Sequence, residues 1–191
     1  MKNIRTFVAV DVTEAVRERA AQLIEELRSC GGDIKWVEPH NMHLTLKFLG
    51  DVPETEVNSV CRAVVQAAAD LPPFSISVQG VGAFPHVGRP RTVWIGVEEG
   101  AEQLGSLQRA VDRALKPLGY PKERRPFHAH LTLGRIRRGG PESRTLSDRL
   151  REQQAFLAGH SQIKEVVVYA SYLDRSGPSY QAMSRGPMRN A

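Results

Sequence analysis

Apolar positions along the chain recur with two periods, two residues and three to four residues, and the periods alternate from end to end. Thr6 to Val10 is apolar and β-branched, which predicts a buried strand. Thr13 is placed to cap a helix carrying Val16, Ala20, Leu23, Ile24 and Leu27 on one face, and Gly31-Gly32 ends it. Ile34 to Val37 predicts a strand, Glu38 to Met42 a turn and Leu44 to Phe48 another strand, with Gly50 and Pro53 as breakers. Val57, Val60, Cys61, Val64 and Ala68 share the face of a second helix that stops at Leu71-Pro72-Pro73. Phe74, Ile76 and Val78 alternate with serines as in a half-buried strand, Gly80 to Pro90 reads as loop, and Thr92 to Val97 as strand.

A third helix carries Leu104, Leu107, Val111, Leu115 and Leu118. Beyond it come a basic loop, Pro121 to Pro126, a strand, His130 to Leu133, and an exposed basic segment, Arg135 to Arg144. A short helix through Leu146 and Leu150 and a last clear strand, Ile163 to Tyr169, complete the pattern. The tail after Gln181 is polar, contains Gly and Pro, and reads as a segment prone to fray. Helices and strands mixed in this way, with strand pairs on short turns, predict an α+β fold with mainly antiparallel pairing in a single domain over residues 1–191, with 181–191 as a candidate mobile tail.

Composition adds bounds. The 191 residues carry a net charge of +5, a modest excess compatible with nucleic acid, a nucleotide or another anionic partner. No apolar run approaches the roughly 18 residues of a membrane span, so no membrane association is expected. Cys30 and Cys61 have no CxxC spacing, and the simple expectation is a reducing, cytoplasmic location.

The informative chemistry is a repeated tetrapeptide. His43-Leu44-Thr45-Leu46 and His130-Leu131-Thr132-Leu133 are identical and lie 87 positions apart. On a strand, His and Thr share one face while the leucines anchor the other. One copy alone would read as a solvated strand face. Two copies suggest a duplicated unit in which two imidazoles face each other across a cleft. An imidazole with an ordinary pKa of about 6.5 serves as acid or base near neutrality, so a pair can hold opposite protonation states. A phosphodiester suits such a pair, because attack and departure are in line on opposite sides of phosphorus. The threonine hydroxyls would hold non-bridging oxygens, and Arg135 is the natural cation for the charge that develops.

Other features read more plainly. His128 and His130 form an H-x-H pair, the basis of a rival metal-dependent reading, but no carboxylate cluster supports it. His128 reads as accessory or exposed, and His40, His86 and His160 need no function. Trp36 and Trp94 read as core. Lys122, Arg124, Arg125, Arg137 and Arg138 form either a solvated surface or a track for RNA phosphates. Gly139-Gly140 reads as a turn.

Paired H-x-T-x motifs resemble the 2H phosphoesterases, and the chain is most similar to their RNA 2′,3′-cyclic phosphodiesterase branch, also called 2′-5′ RNA ligase. The likeness runs through Arg5 to Val10, Trp36-Val37 with Asn41 to Gly50, Gly82 to Pro85, Pro90 to Trp94, Phe127 to Arg135, and Ser171 to Leu173 with Gly177 to Tyr180. Ala129 stands where the family usually has proline, a minor departure.

The resemblance implies a bilobal fold of two pseudo-symmetric sheet lobes with outer helices around a central cleft. It implies hydrolysis of a terminal 2′,3′-cyclic phosphate to a 2′-phosphate, with His43 as proton donor and His130 as proton acceptor. Thr45, Thr132 and Arg135 would bind the phosphate, with neither metal nor cofactor. The expected partners are RNA ends or nucleotides bearing a 2′,3′-cyclic phosphate, with no obligate protein partner and a monomeric state. Ligation through a 2′-5′ link would be the same chemistry with a ribose 5′-hydroxyl in place of water. A non-catalytic RNA- or nucleotide-binding module on the same fold is the remaining alternative.

Overall fold

The computed structural model describes residues 2–138, 140, 142–174 and 177–189. The β-branched run near the start forms β1 (Asn3–Asp11), and the first helix, α1 (Glu14–Arg28), buries all five predicted face residues. Gly31 and Gly32, at φ of 73° and 95°, turn the chain where a side chain would be strained. Strands β2 (Asp33–Trp36) and β3 (His43–Pro53) follow, separated by a 3₁₀ turn over Pro39–Asn41, and then α2 (Val57–Ala69). Strands β4 (Phe74–Phe84) and β5 (Thr92–Val97) lead into α3 (Ala101–Leu115). The chain ends through β6 (His130–Arg138), α4 (Glu142–Glu152), β7 (Leu157–Ile163), β8 (Glu165–Leu173) and β9 (Pro178–Pro187).

Several expectations are corrected. Thr13 is the N-cap residue of α1 as expected, but its hydroxyl donates to the His160 carbonyl of β7 and makes no bond to the first turn of the helix. Gly50 does not end β3, because a positive φ of 73° lets the strand continue through an irregularity in its pairing with β1. Gly80 to Phe84 belongs to β4, and only the following segment loops. Leu118 falls beyond α3 and is exposed. Arg135 to Arg138 extends β6 as paired strand. The segment from Gln181 is strand β9, paired with β8 through Pro187, and Met188 is buried beyond it. Gly139, Asn190 and Ala191 lie outside the described residues.

Among the described residues nine strands form one sheet in the order β7-β4-β5-β6-β3-β1-β8-β9, with β2 on the β3 side of β6. The sheet has two lobes, β7-β4-β5-β6 with β2 and β3-β1-β8-β9. They meet at a single antiparallel pair, Leu44 opposite Leu131. Each half of the chain contributes to both lobes. Strand β4 leaves the N-terminal half to pair with β5 and β7, and β8 leaves the C-terminal half to pair with β1.

The helices cross as well: α1 packs on β7 and α3 on β3. A buried ion pair fixes the second crossing. Lys47 of β3 donates to Asp112 of α3 and to the Pro121 carbonyl, and Gln108 donates to the other Asp112 oxygen. The leucines of both tetrapeptides lie in the core, on the helix side of the sheet. Among the described residues no helix is long and apolar enough to cross a membrane.

Candidate active site

The two tetrapeptides head strands β3 and β6, and the Leu44–Leu131 pair sets them side by side. Continuing that antiparallel register by one residue each way puts His43 across from Thr132 and Thr45 across from His130. All four are half-buried, on the face opposite the helices, while Leu44, Leu46, Leu131 and Leu133 are buried beneath them. Both histidines and both threonines therefore converge as the repeat predicts.

Arg135 reaches the same face by a route that strand alternation does not supply. An odd offset from His130 would point it into the core. In β6, however, Trp94 of β5 pairs with Thr132 and Val93 with Gly134, leaving Leu133 as a bulge residue. The bulge restores Arg135 to the cleft face, where it donates to the Thr92 hydroxyl at 3.4 Å. The first copy has the matching bulge at Leu46, since Ala9 pairs with Thr45 and Val8 with Lys47. There the position equivalent to Arg135 is Phe48, 59% exposed.

Both imidazoles are oriented by the same bond. His43 Nδ1 lies 2.8 Å from the Asn41 carbonyl and His130 Nδ1 2.7 Å from the His128 carbonyl. A carbonyl only accepts, so each Nδ1 carries the proton and each Nε2 is left for proton exchange. The Asn41 side chain also donates to the Pro178 carbonyl at 2.9 Å, fastening β9 beside the site.

Each ring also sits among aromatic neighbours. Phe7 stacks on His43 at 4.8 Å and Tyr180 meets it edge-on at 5.2 Å. Phe84 meets His130 edge-on at 5.0 Å, with Trp94 at 6.3 Å. A Cβ on Gly82 would lie 2.3 Å from the Trp94 ring, so only glycine lets the indole lie over β4. Trp94 is thus a wall of the cleft, correcting its core reading, whereas Trp36 packs against the core as expected. Phe7, Tyr180, Phe84, Asn41 and the His128 carbonyl escape sequence reasoning because their roles arise from pairing between distant strands. Their only sequence signal was membership of the segments carrying the family likeness.

Burial dominates the electrostatics. It pushes His43 down to about 4, against smaller raising influences from the Asn41 bond and the Asp11 carboxylate; the Arg17 and His130 charges lower it further. Burial also lowers His130, helped by the His128 and Arg135 charges and opposed by the bond to the His128 carbonyl. Asp11 is the register partner of His43, while the corresponding partner of His130 is Gly96. Asp11 itself accepts from Tyr169 at 2.7 Å.

Exposed His128 leans on Trp94 at 4.8 Å, with its ring centroid 6.1 Å from that of His130. Among the described residues no group of three or more His, Cys, Asp or Glu side chains is placed to hold a metal.

Comparison with known proteins agrees with this architecture. The family model described as LigT like Phosphoesterase matches the chain twice, over residues 10–94 and 95–180. An RNA 2′,3′-cyclic phosphodiesterase of Archaeoglobus fulgidus is 39% identical over 178 residues, 93% of this chain and 97% of its own length. A crystal structure from Thermus thermophilus superposes with a TM-score of 0.82 at 27% identity, covering 97% of this chain and 98% of the other. E. coli LigT in complex with 3′-AMP shares the fold with a TM-score of 0.77 at 23% identity, covering 99% and 100%.

Proposed function

The chain belongs to the LigT-like phosphoesterase family, and from that membership and the cleft geometry we propose how it acts as an RNA 2′,3′-cyclic phosphodiesterase. The observation that carries the reading is the meeting of the two tetrapeptides at Leu44–Leu131, with both Nε2 atoms left for chemistry. A cyclic phosphate seated between the rings is attacked by water in line with the 3′ oxygen. His130 Nε2 takes the water proton. His43 Nε2 gives its proton to the departing 3′ oxygen, and the product is a 2′-phosphate. The Thr45 and Thr132 hydroxyls hold the non-bridging oxygens, and the Arg135 guanidinium offsets the charge that builds there. Each proton step is worth on the order of 10²–10⁴-fold.

Two breaks in the pseudo-symmetry support this direction of proton flow. Asp11 beside His43 favours an imidazolium there, as an acid needs, against the Arg17 charge; His130 has no carboxylate influence, and His128 and Arg135 disfavour its charge, as a base needs. In the free protein burial outweighs Asp11 and His43 is neutral at pH 7. The entering phosphate anion supplies the opposing charge that lets His43 take up its proton. Every step uses side chains of this chain, so turnover proceeds without a metal.

The test is product analysis on an oligoribonucleotide ending in a 2′,3′-cyclic phosphate, run in EDTA. A 2′-monophosphate at undiminished rate is expected, with His43→Ala and His130→Ala each slowed at least about 100-fold. A 3′-monophosphate, or activity lost to the chelator, overturns the reading.

A further inference from the structure

The end of the cleft beyond Arg135 carries cations that the chemistry at phosphorus does not use. Lys35 of β2 is the register partner of Arg135, and Arg135 of Thr92 on the next strand. Directly opposed residues share a face. The neighbouring positions confirm which face: Ile34, Trp36 and Ile136 pack against the core, and a Cβ on Gly134 would strike the Trp36 ring. Lys35 therefore lies on the cleft side with Arg135, and both are exposed.

The Lys35 ammonium extends across the cleft mouth to the other lobe, 3.5 Å from where a Cβ on Gly177 would lie, in the β8–β9 turn. On that lobe Arg5 is exposed on the same face of β1 as Phe7, and both Arg5 and Arg135 act electrostatically on Tyr180. Carboxylates in this region include Asp33, two residues before Lys35 on β2, Asp51, opposite Arg5, and Asp174, which accepts from the Gly177 amide. Among the described residues neither Arg5, Lys35 nor Arg135 makes an ion pair.

Distance separates this cluster from the reacting phosphate. Arg135 and its partner Lys35 lie five residues from His130, roughly 13–16 Å along β6 at about 3.3 Å per residue. The Arg135 charge still acts on His130 across that gap. Lysine on the neighbouring strand, with its head turned toward Gly177, does not. The His130 end of β6 carries exposed cations of its own, Lys122, Arg124 and Arg125, in the loop that precedes it. A cavity of about 530 Å³ between the start of α3 and residues 127–129 is lined by one acid, Glu102, and one arginine, Arg109.

We propose that Lys35 forms a subsite for the phosphodiester immediately preceding the terminal cyclic phosphate, so that the protein selects RNA ends of two or more nucleotides over cyclic mononucleotides. The subsite rests on the reading of the active site above. It uses a second phosphate as the feature that distinguishes a chain end from a free nucleotide. Sequence-independent phosphate contacts of this kind are electrostatic and weaken with salt.

Steady-state kinetics on 2′,3′-cyclic AMP and on the dinucleotide ApA ending in a 2′,3′-cyclic phosphate test it. The unaltered protein is expected to favour the dinucleotide in kcat/KM. Lys35→Ala is expected to cut the dinucleotide-to-mononucleotide ratio about tenfold, mainly through KM, and to reduce the salt slope for the dinucleotide by about 0.7. Lys35→Arg restores the preference. An unchanged ratio in Lys35→Ala, or equal loss on both substrates, overturns the subsite while leaving the catalytic reading intact. Failure of the unaltered protein on both substrates overturns the catalytic reading and the subsite with it.

Discussion

Asp11 is the residue that most distinguishes the two halves of the site. Its counterpart across the pseudo-twofold is Gly96, so only one imidazole has a carboxylate at its register position. Replacing it with asparagine removes a raising influence on His43 and leaves His130 without a corresponding change. An acid works only while protonated, so activity falls as pH rises through its pKa. Asp11→Asn is therefore expected to move the high-pH limb of the kcat profile to lower pH, with a roughly 3–10-fold loss of kcat at pH 7. Tyr169→Phe deletes the hydrogen bond to Asp11 but keeps its charge, and should leave that limb in place. A limb that stays fixed in Asp11→Asn would remove Asp11 from the ordering of roles. At this scale the sequence was readable where chemistry repeats: His43, Thr45, His130 and Thr132 stand out as an identical pair of words. Phe7, Tyr180 and Asn41 do not, because single residues from distant strands acquire roles only through pairing.

Elements were legible in proportion to how much apolar surface they bury. Helices α1 and α2 and strand β5 follow their periodic patterns closely, since each covers or forms the core. The edge strands were not. In β7 the inward positions include Ala158 and Ser161, too small or polar to mark an alternation, and in β9 Gly186 is the buried position. Their strand character comes from partners, β4 and β8. The bulges were equally hidden, and one of them explains Lys47: adjacent Leu46 and Lys47 both face the core, so the ammonium must meet Asp112. Removing one partner of a satisfied buried pair leaves the other charge stranded, at a cost of about 3–5 kcal/mol. Lys47→Met or Asp112→Leu alone should lower stability by that amount in urea titration. The double variant should recover most of the loss; a double variant as unstable as the sum of the singles would show that the pair does not act as a unit.

For the whole molecule, burial of His43 ties stability to acidity. Its folded pKa of about 4 lies below the ordinary 6.5, so between those values the unfolded chain binds more protons than the folded one. Stability is then full above about pH 6.5 and is lost as pH falls toward 4, by at most about 3 kcal/mol from this group. His43→Gln should flatten that part of the Tm–pH curve, and an unchanged slope would argue that the ring titrates normally. The duplicated, α+β character of the molecule was visible in the repeat and in the mixture of periods. The exchange between halves was not, because strand order is set by long-range pairing that no local pattern encodes.

That exchange also bears on how such a chain could have arisen. With α1 packed on β7 and α3 on β3, one repeat expressed alone loses the strand its first helix packs on and the helix that covers its own β3. Two identical copies could supply each other's missing surface, and each would bring a single imidazole to their common axis. A symmetric dimer of half-length chains is therefore the simplest forebear this architecture permits, and gene fusion would have freed its two halves to become unlike.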